Sequence, residues 1–151
     1  MPAAELADAR RIRVVAGALV RAGDRLLVER GRDTARGFDF YRVIGGGVDF
    51  GESAADAVVR EWSEEFGLTL SVAGLLGVLE NHFTYESRPG HEIVFVFAGS
   101  VAEAWVADRD RFTSTDEKGA PHEAEWVSIA ALRDGPAPLF PAGVLDLLAA
   151  M

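Results

Sequence analysis

The chain has no cysteine, which removes disulfides, thiolate nucleophiles and any cysteine-based zinc or iron-sulfur centre. It also lacks an apolar run near the ~20 residues that cross a bilayer as a helix. Its start, MPAAELADARR, has no basic-then-apolar order of a secretory signal. Basic charge is scarce: 15 Lys and Arg stand against 24 Asp and Glu, a formal net charge of -9. Nucleic-acid polymers and anionic membranes attract clustered Lys and Arg, so neither is an expected partner. An acidic chain that handles phosphorylated small molecules needs divalent cations to do so. No G-K-[ST] follows the glycine run at 45–47, which excludes a P-loop, and no H-x-x-x-H or G-x-S-x-G pattern points to a zinc site or a serine triad.

What is present is an ordinary soluble composition, 49% hydrophobic and 26% charged over 151 residues, enough for a full core without staples. A cytoplasmic protein is expected, with a flexible segment over 1–11 and a single domain over 12–151. IRVVAGALV, from Ile12, reads as a buried strand, RAGD as a turn and RLLVER as the returning strand. Gly31 to Asp39 reads as a polar loop, and FYRVIGGG as a strand running into glycines. Ser53 to Phe66 carries the strongest helix signals, with Ser53 as cap, Asp56 three residues on, and Gly67 at the end. Two strands follow, joined around SRPG; Ala107 to Glu123 reads as a surface loop, EAEWVSI as a last strand and PAGVLDLLAAM as a C-terminal helix. Strands, helix, strands, helix imply an α/β class with a mixed sheet covered by helices.

The helix holds a puzzle, because REWSEEFGL places Glu61, Glu64 and Glu65 beside large apolar residues. At 100° per residue, Glu65 lies roughly +40° and Glu64 roughly -60° from Glu61. On that same side, earlier in the helix, lie Ala54, Ala57 and Val58. The acids therefore continue the inward stripe toward the helix C-terminus, where like charges and the negative end of the dipole both oppose them. A cation is one resolution, Mg²⁺ or Mn²⁺ being suited to carboxylate oxygens. A solvated face is the other, with Arg60 bridging Asp56 and Glu64.

The residues before the helix decide between them. GGVDFGESAADAVVREWSEEFGL, from Gly46, fits G, five residues, E, seven residues, then R-E-U-x-E-E-x-G-U with U a bulky hydrophobic. It resembles the Nudix box, with Gly46, Glu52, Arg60, Glu61, Glu64, Glu65 and Gly67 at all seven named positions. Chance agreement at that level is on the order of one in 10⁸ per starting position. Trp62 is bulkier than usual at its hydrophobic place, and Ile44 and Phe50 stand where many members carry proline.

The resemblance implies an α/β/α sandwich and Mg²⁺-dependent hydrolysis of a nucleoside diphosphate linked to another group. Glu61, Glu64 and Glu65 would hold the metal, with a backbone carbonyl of Gly45 or Gly46, and Glu64 or Glu65 would double as the base. Arg60 would orient the carboxylates, Glu52 included. Several members draw a further glutamate from a later loop, for which Glu117 and Glu123 are the candidates. Arg42 and its neighbours Arg30, Arg32 and Arg36 either grip phosphates or are plain surface charge. Tyr85 stands where dinucleoside polyphosphate hydrolases tend to carry a tyrosine, which points to a stackable base. His82, His91 and His122 are scattered, and surface or strand-end roles are expected for them. A catalytically silent nucleotide-binding module is the rival reading, and a homodimer is compatible with either.

Overall fold

The computed structural model describes residues 10–151, so most of the expected flexible segment lies outside the described residues. Strand β1 (Ile12–Ala22) is the pivot of the fold. It runs parallel to β6 (Arg88–Val101), from Ile12 opposite His91 to Val20 opposite Gly99, and antiparallel to β4 (Ile44–Gly47). Its last residues, Arg21 and Ala22, pair instead with β2 (Arg25–Asp33). One long strand thereby passes from one half of the sheet to the other. The first half is completed by β5 (Leu70–Tyr85) on β6, the second by β3 (Phe38–Arg42) and β8 (Pro121–Ser128) on the two sides of β2. Strands β7 (Arg111–Thr115) and β9 (Leu139–Phe140) add to β8 and β3. Among the described residues the sheet is mixed and nine-stranded, in keeping with the α/β reading.

Two cores flank it. Helix α1 (Ala54–Phe66) buries Ala57, Val58, Trp62 and Phe66 against Ala16, Ala18 and Val20 of β1 and Trp126 of β8. The opposite core gathers Leu19, Leu26, Val28 and Val96 under α2 (Ile129–Asp134) and a 3-10 helix, Val144–Ala150. Among the described residues no helix is long and apolar enough to cross a membrane.

Helix α1 begins and ends where its sequence predicts. The Asp56 N–H donates to Ser53 Oγ at 3.1 Å. At the other end Gly67 takes φ 65°, its N–H reaches Ser63 O at 2.9 Å, and the Leu68 N–H reaches Trp62 O at 3.3 Å. This paired closure needs a left-handed residue, which glycine adopts without a Cβ penalty. Trp62 is fully buried, and its indole N–H donates to the Ile44 carbonyl at 3.0 Å. Its extra bulk therefore ties the helix to the glycine strand β4.

Three expectations change. FYRVIGGG is two strands, broken at Val43, because β3 follows β2 while β4 crosses to β1. The expected loop at 107–123 holds β7 and the start of β8, and β7 buries a single large residue, Phe112, too little alternation to betray a strand. The β5–β6 connection turns on Glu86 and Ser87, with φ of 50° and 63°, ahead of the SRPG proline and glycine.

Candidate active site

Arg60 organises the acids at the open end of α1. Its guanidinium donates to both oxygens of Glu52 at 2.8 and 2.9 Å, to Glu61 Oε1 at 2.9 Å and to Glu64 Oε2 at 3.0 Å. It also reaches the Gly47 carbonyl at 2.9 Å, fastening the helix to the end of β4. Five donors in a fixed fork suit this many acceptors. The hydrogen bond from Arg60 holds the Glu52 carboxyl below the usual range, and Arg60 is itself held above its ordinary value by Glu52. Glu61 packs against Gly46 so closely that a Cβ there would lie 2.3 Å from the Glu61 carboxylate carbon. Gly45 instead faces the Ala16 and Gly17 backbone of β1.

A second assembly lies deeper. Glu29 of β2, an acidic residue, is 2% exposed. It stands directly across from Arg42, whose Nε donates to it at 2.8 Å, and its other oxygen meets His122 Nδ1 at 2.6 Å. His122 Nε2 in turn meets Asp116 Oδ2 at 2.8 Å, in the β7–β8 turn. Burial alone would lower the His122 pKa, but hydrogen bonds to Asp116 and Glu29 outweigh it and raise the value. The His122 ring also packs edge-on against Phe66 of α1, with centroids 5.8 Å apart.

Glu65 points into this cluster. Burial first, and the nearby Glu29 charge second, push its carboxyl up to about 8. His122 Nδ1 lies 4.0 Å from Glu65 Oε2, too far for a hydrogen bond, and that buried oxygen has no partner among the described residues. A buried, unpartnered carboxylate oxygen is costly. Beside it stand further carboxylates and a glycine strand that permits close approach, an oxygen-rich donor set matching Mg²⁺ or Mn²⁺. The residues present fit such an ion.

Glu65, Gly45 and Gly46 also line a cavity of about 440 Å³, walled by Phe40, Phe83, Tyr85 and Phe140 and reached by Arg13 and Arg42. Tyr85 and Phe140 each set an edge-on contact with Phe40, at 5.8 Å. Asn81 lines it too, 6% exposed, and among the described residues its side-chain amide makes no hydrogen bond. At the rim, Glu86 accepts from Thr34 N at 2.6 Å and Thr34 Oγ1 at 2.7 Å, while Arg36 joins Asp33 to the Thr84 carbonyl. The β2–β3 and β5–β6 turns are thus pinned together.

The expected residues separate into groups. Glu52, Arg60, Glu61, Glu64 and Gly46 come together, Glu65 turns instead to Glu29 and His122, and Glu65, Arg42 and Tyr85 line the adjoining cavity. Glu123 alternates along β8 with His122 and Ala124, so it leaves the sheet on the face away from α1. Glu117 is exposed in the β7–β8 turn. From that region it is Asp116 and His122 that reach the site, and His122 is no surface residue. Arg30 and Arg32 pair with Asp39, as ordinary surface charge does.

In this α/β/α sandwich the covering helix turns carboxylates toward a glycine strand and an adjoining cavity. The NUDIX domain model matches residues 11–148, and the chain belongs to the Nudix family as a pyrophosphohydrolase. Among solved structures, it is similar to a NUDIX hydrolase from Nitrosomonas europaea, with a TM-score of 0.64 and 22% identity over 92% of this chain and 87% of that one. A MutT NUDIX hydrolase from Burkholderia pseudomallei gives 0.61 and 27% identity, over 94% of this chain and 100% of that one. An ADP-ribose pyrophosphatase from Streptococcus suis gives 0.56 and 17% identity, over 92% and 88%. Comparison with the curated proteins finds no match.

Proposed function

We propose that the chain hydrolyses the pyrophosphate bond of a nucleoside diphosphate derivative, with Glu61, Glu64 and Glu65 holding Mg²⁺. The observation that carries this reading is the unpartnered, buried Oε2 of Glu65 beside the cavity. When bound, the cation neutralises the pyrophosphate and lowers the pKa of the attacking water. The chain supplies orientation: Arg60 fixes Glu52, Glu61 and Glu64, and the Gly46 backbone sets the height of Glu61. Glu65, beside the cavity, is the carboxylate placed to take the proton of the attacking water.

The cavity supports a substrate with a base. Its aromatic walls offer stacking and edge contacts, and the free amide of Asn81 offers both a donor and an acceptor to a heterocycle. Arg13, whose ion pair with Glu92 is long at 3.6 Å, and Arg42 are within reach of phosphates.

Glu65→Gln should leave the fold intact and cut Mg²⁺-dependent turnover by on the order of 10²–10³-fold; unchanged turnover would remove Glu65 from the chemistry. Asn81→Ala should raise KM for base-bearing substrates about 5- to 10-fold, the weight of one hydrogen bond, with little change in kcat. An equal effect on a ribose diphosphate that carries no base would show that Asn81 does not read the heterocycle.

A further inference from the structure

Behind the cavity wall, on the outer face of the β5–β6 hairpin, three ligand-type side chains meet. Glu80 and His82 are two residues apart on β5 and share a face. The two-residue turn at Glu86 and Ser87 sets a register that brings His91 of β6 directly opposite His82. The imidazole centroids lie 4.0 Å apart with planes inclined at 32°. Glu80 turns one oxygen to each ring, Oε1 at 3.5 Å from His82 Nε2 and Oε2 at 3.2 Å from His91 Nε2. Asn81, Phe83 and Glu92 are the alternate residues on these strands, and they line the cavity on the other face.

From this convergence we propose that Glu80, His82 and His91 form a second metal site, selective for a borderline transition ion such as Zn²⁺ and separate from the carboxylates of α1. All three ligand atoms lie within 4.8 Å of one another. Two ligands of a tetrahedral zinc, each ~2.0–2.1 Å from the ion, are about 3.3–3.4 Å apart. The two Nε2-to-oxygen distances bracket that separation. The ion enters with a small adjustment of exposed side chains and keeps one position for water.

The two sites select by chemistry. Imidazole favours Zn²⁺, Cu²⁺ and Ni²⁺ over Mg²⁺, whereas carboxylates near Glu65 favour the harder ion. An ion on the outer face would staple β5 to β6 behind Asn81 and Phe83. The cluster also differs from a simple surface ion pair, since one Glu–His contact needs no second imidazole stacked on the first.

The test is a Zn²⁺ titration by calorimetry at saturating Mg²⁺, so that the α1 carboxylates are already occupied. The parent protein should take up one Zn²⁺ per chain. His82→Ala and His91→Ala should each weaken that uptake by at least about 10-fold, the loss that follows removal of even an outer-shell partner. Mg²⁺-dependent turnover in zinc-free buffer should stay at the parent level in both, and Glu65→Gln should retain the Zn²⁺. Both histidines are solvent-accessible, so circular dichroism of the variants should match the parent. Absence of Zn²⁺ uptake by the parent, or uptake unchanged in His82→Ala and His91→Ala, would overturn the proposal.

Discussion

Helix α1 is flanked by two arginine-carboxylate assemblies that look alike in outline and differ in construction. Around Arg60, every partner comes from residues 47–64, and the guanidinium is 28% exposed. Around Glu29, the partners are Arg42 from β3, His122 from β8 and Asp116 from the turn before it, and the shared anion is 2% exposed. Water and salt reach the first and screen it. The second is held by the sheet, and each member is fixed because its strand neighbour is fixed. The difference separates a device that arranges ligands near the surface from a buried one that adjoins Glu65.

The largest effect should come from removing the buried anion. Glu29→Ala leaves His122 and Arg42 without their shared partner and should cost about 3 kcal/mol in urea denaturation, the low end for breaking a buried pair. The low end applies because Arg42 is half exposed and can turn to water. The same change should lower the Glu65 pKa, since the Glu29 charge is the second cause of its elevation. A loss of only a few tenths of a kcal/mol would mean that the deeper assembly contributes no more than a surface pair.

The same contrast explains what could be read from the sequence. The Arg60 assembly is local, so helical spacing brings its partners within reach: Ser53 and Gly67 bound the helix, and Glu52, Glu61 and Glu64 meet Arg60, with Glu64 exposed. The Glu29 assembly depends on register between strands distant in sequence. Its one local signal was alternation: Glu29 follows Leu27, and His122 precedes Ala124 and Trp126, each on the face that meets α1. Of the loop acids expected to join the site, Glu117 is exposed and strand parity carries Glu123 to the other face, whereas Asp116 meets His122. His82 and His91 seemed scattered because only the tight turn at Glu86 and Ser87 pairs them.

The next effect concerns pH. With no divalent cation present, Glu65 has a folded pKa of about 8 against an ordinary 4.5. Between those values the native protein holds a proton that the unfolded chain has released, so stability falls as pH rises. The contribution is complete below the unfolded pKa and gone above the folded one. Glu65→Gln removes this slope, so in chelator the variant should gain on the parent progressively from about pH 5 to pH 8. Parallel stability curves for variant and parent would show that the fold does not raise the Glu65 pKa. Added Mg²⁺ should flatten the parent curve, because the ion requires the ionised carboxylate.

The smallest effect, and the sharpest on the comparison, belongs to Arg60→Lys. The charge survives, but a single ammonium cannot serve both Glu52 oxygens, Glu61, Glu64 and the Gly47 carbonyl at once. Stability should fall by only about 1 kcal/mol, since exposed ion pairs contribute little. Turnover should fall more than stability implies, because Glu61 and Glu64 lose their fixed geometry. Raising salt should shrink the stability deficit of Arg60→Lys and leave that of Glu29→Ala nearly unchanged. Deficits that respond equally to salt would show the two assemblies to be electrostatically alike, and burial would then not be what distinguishes them.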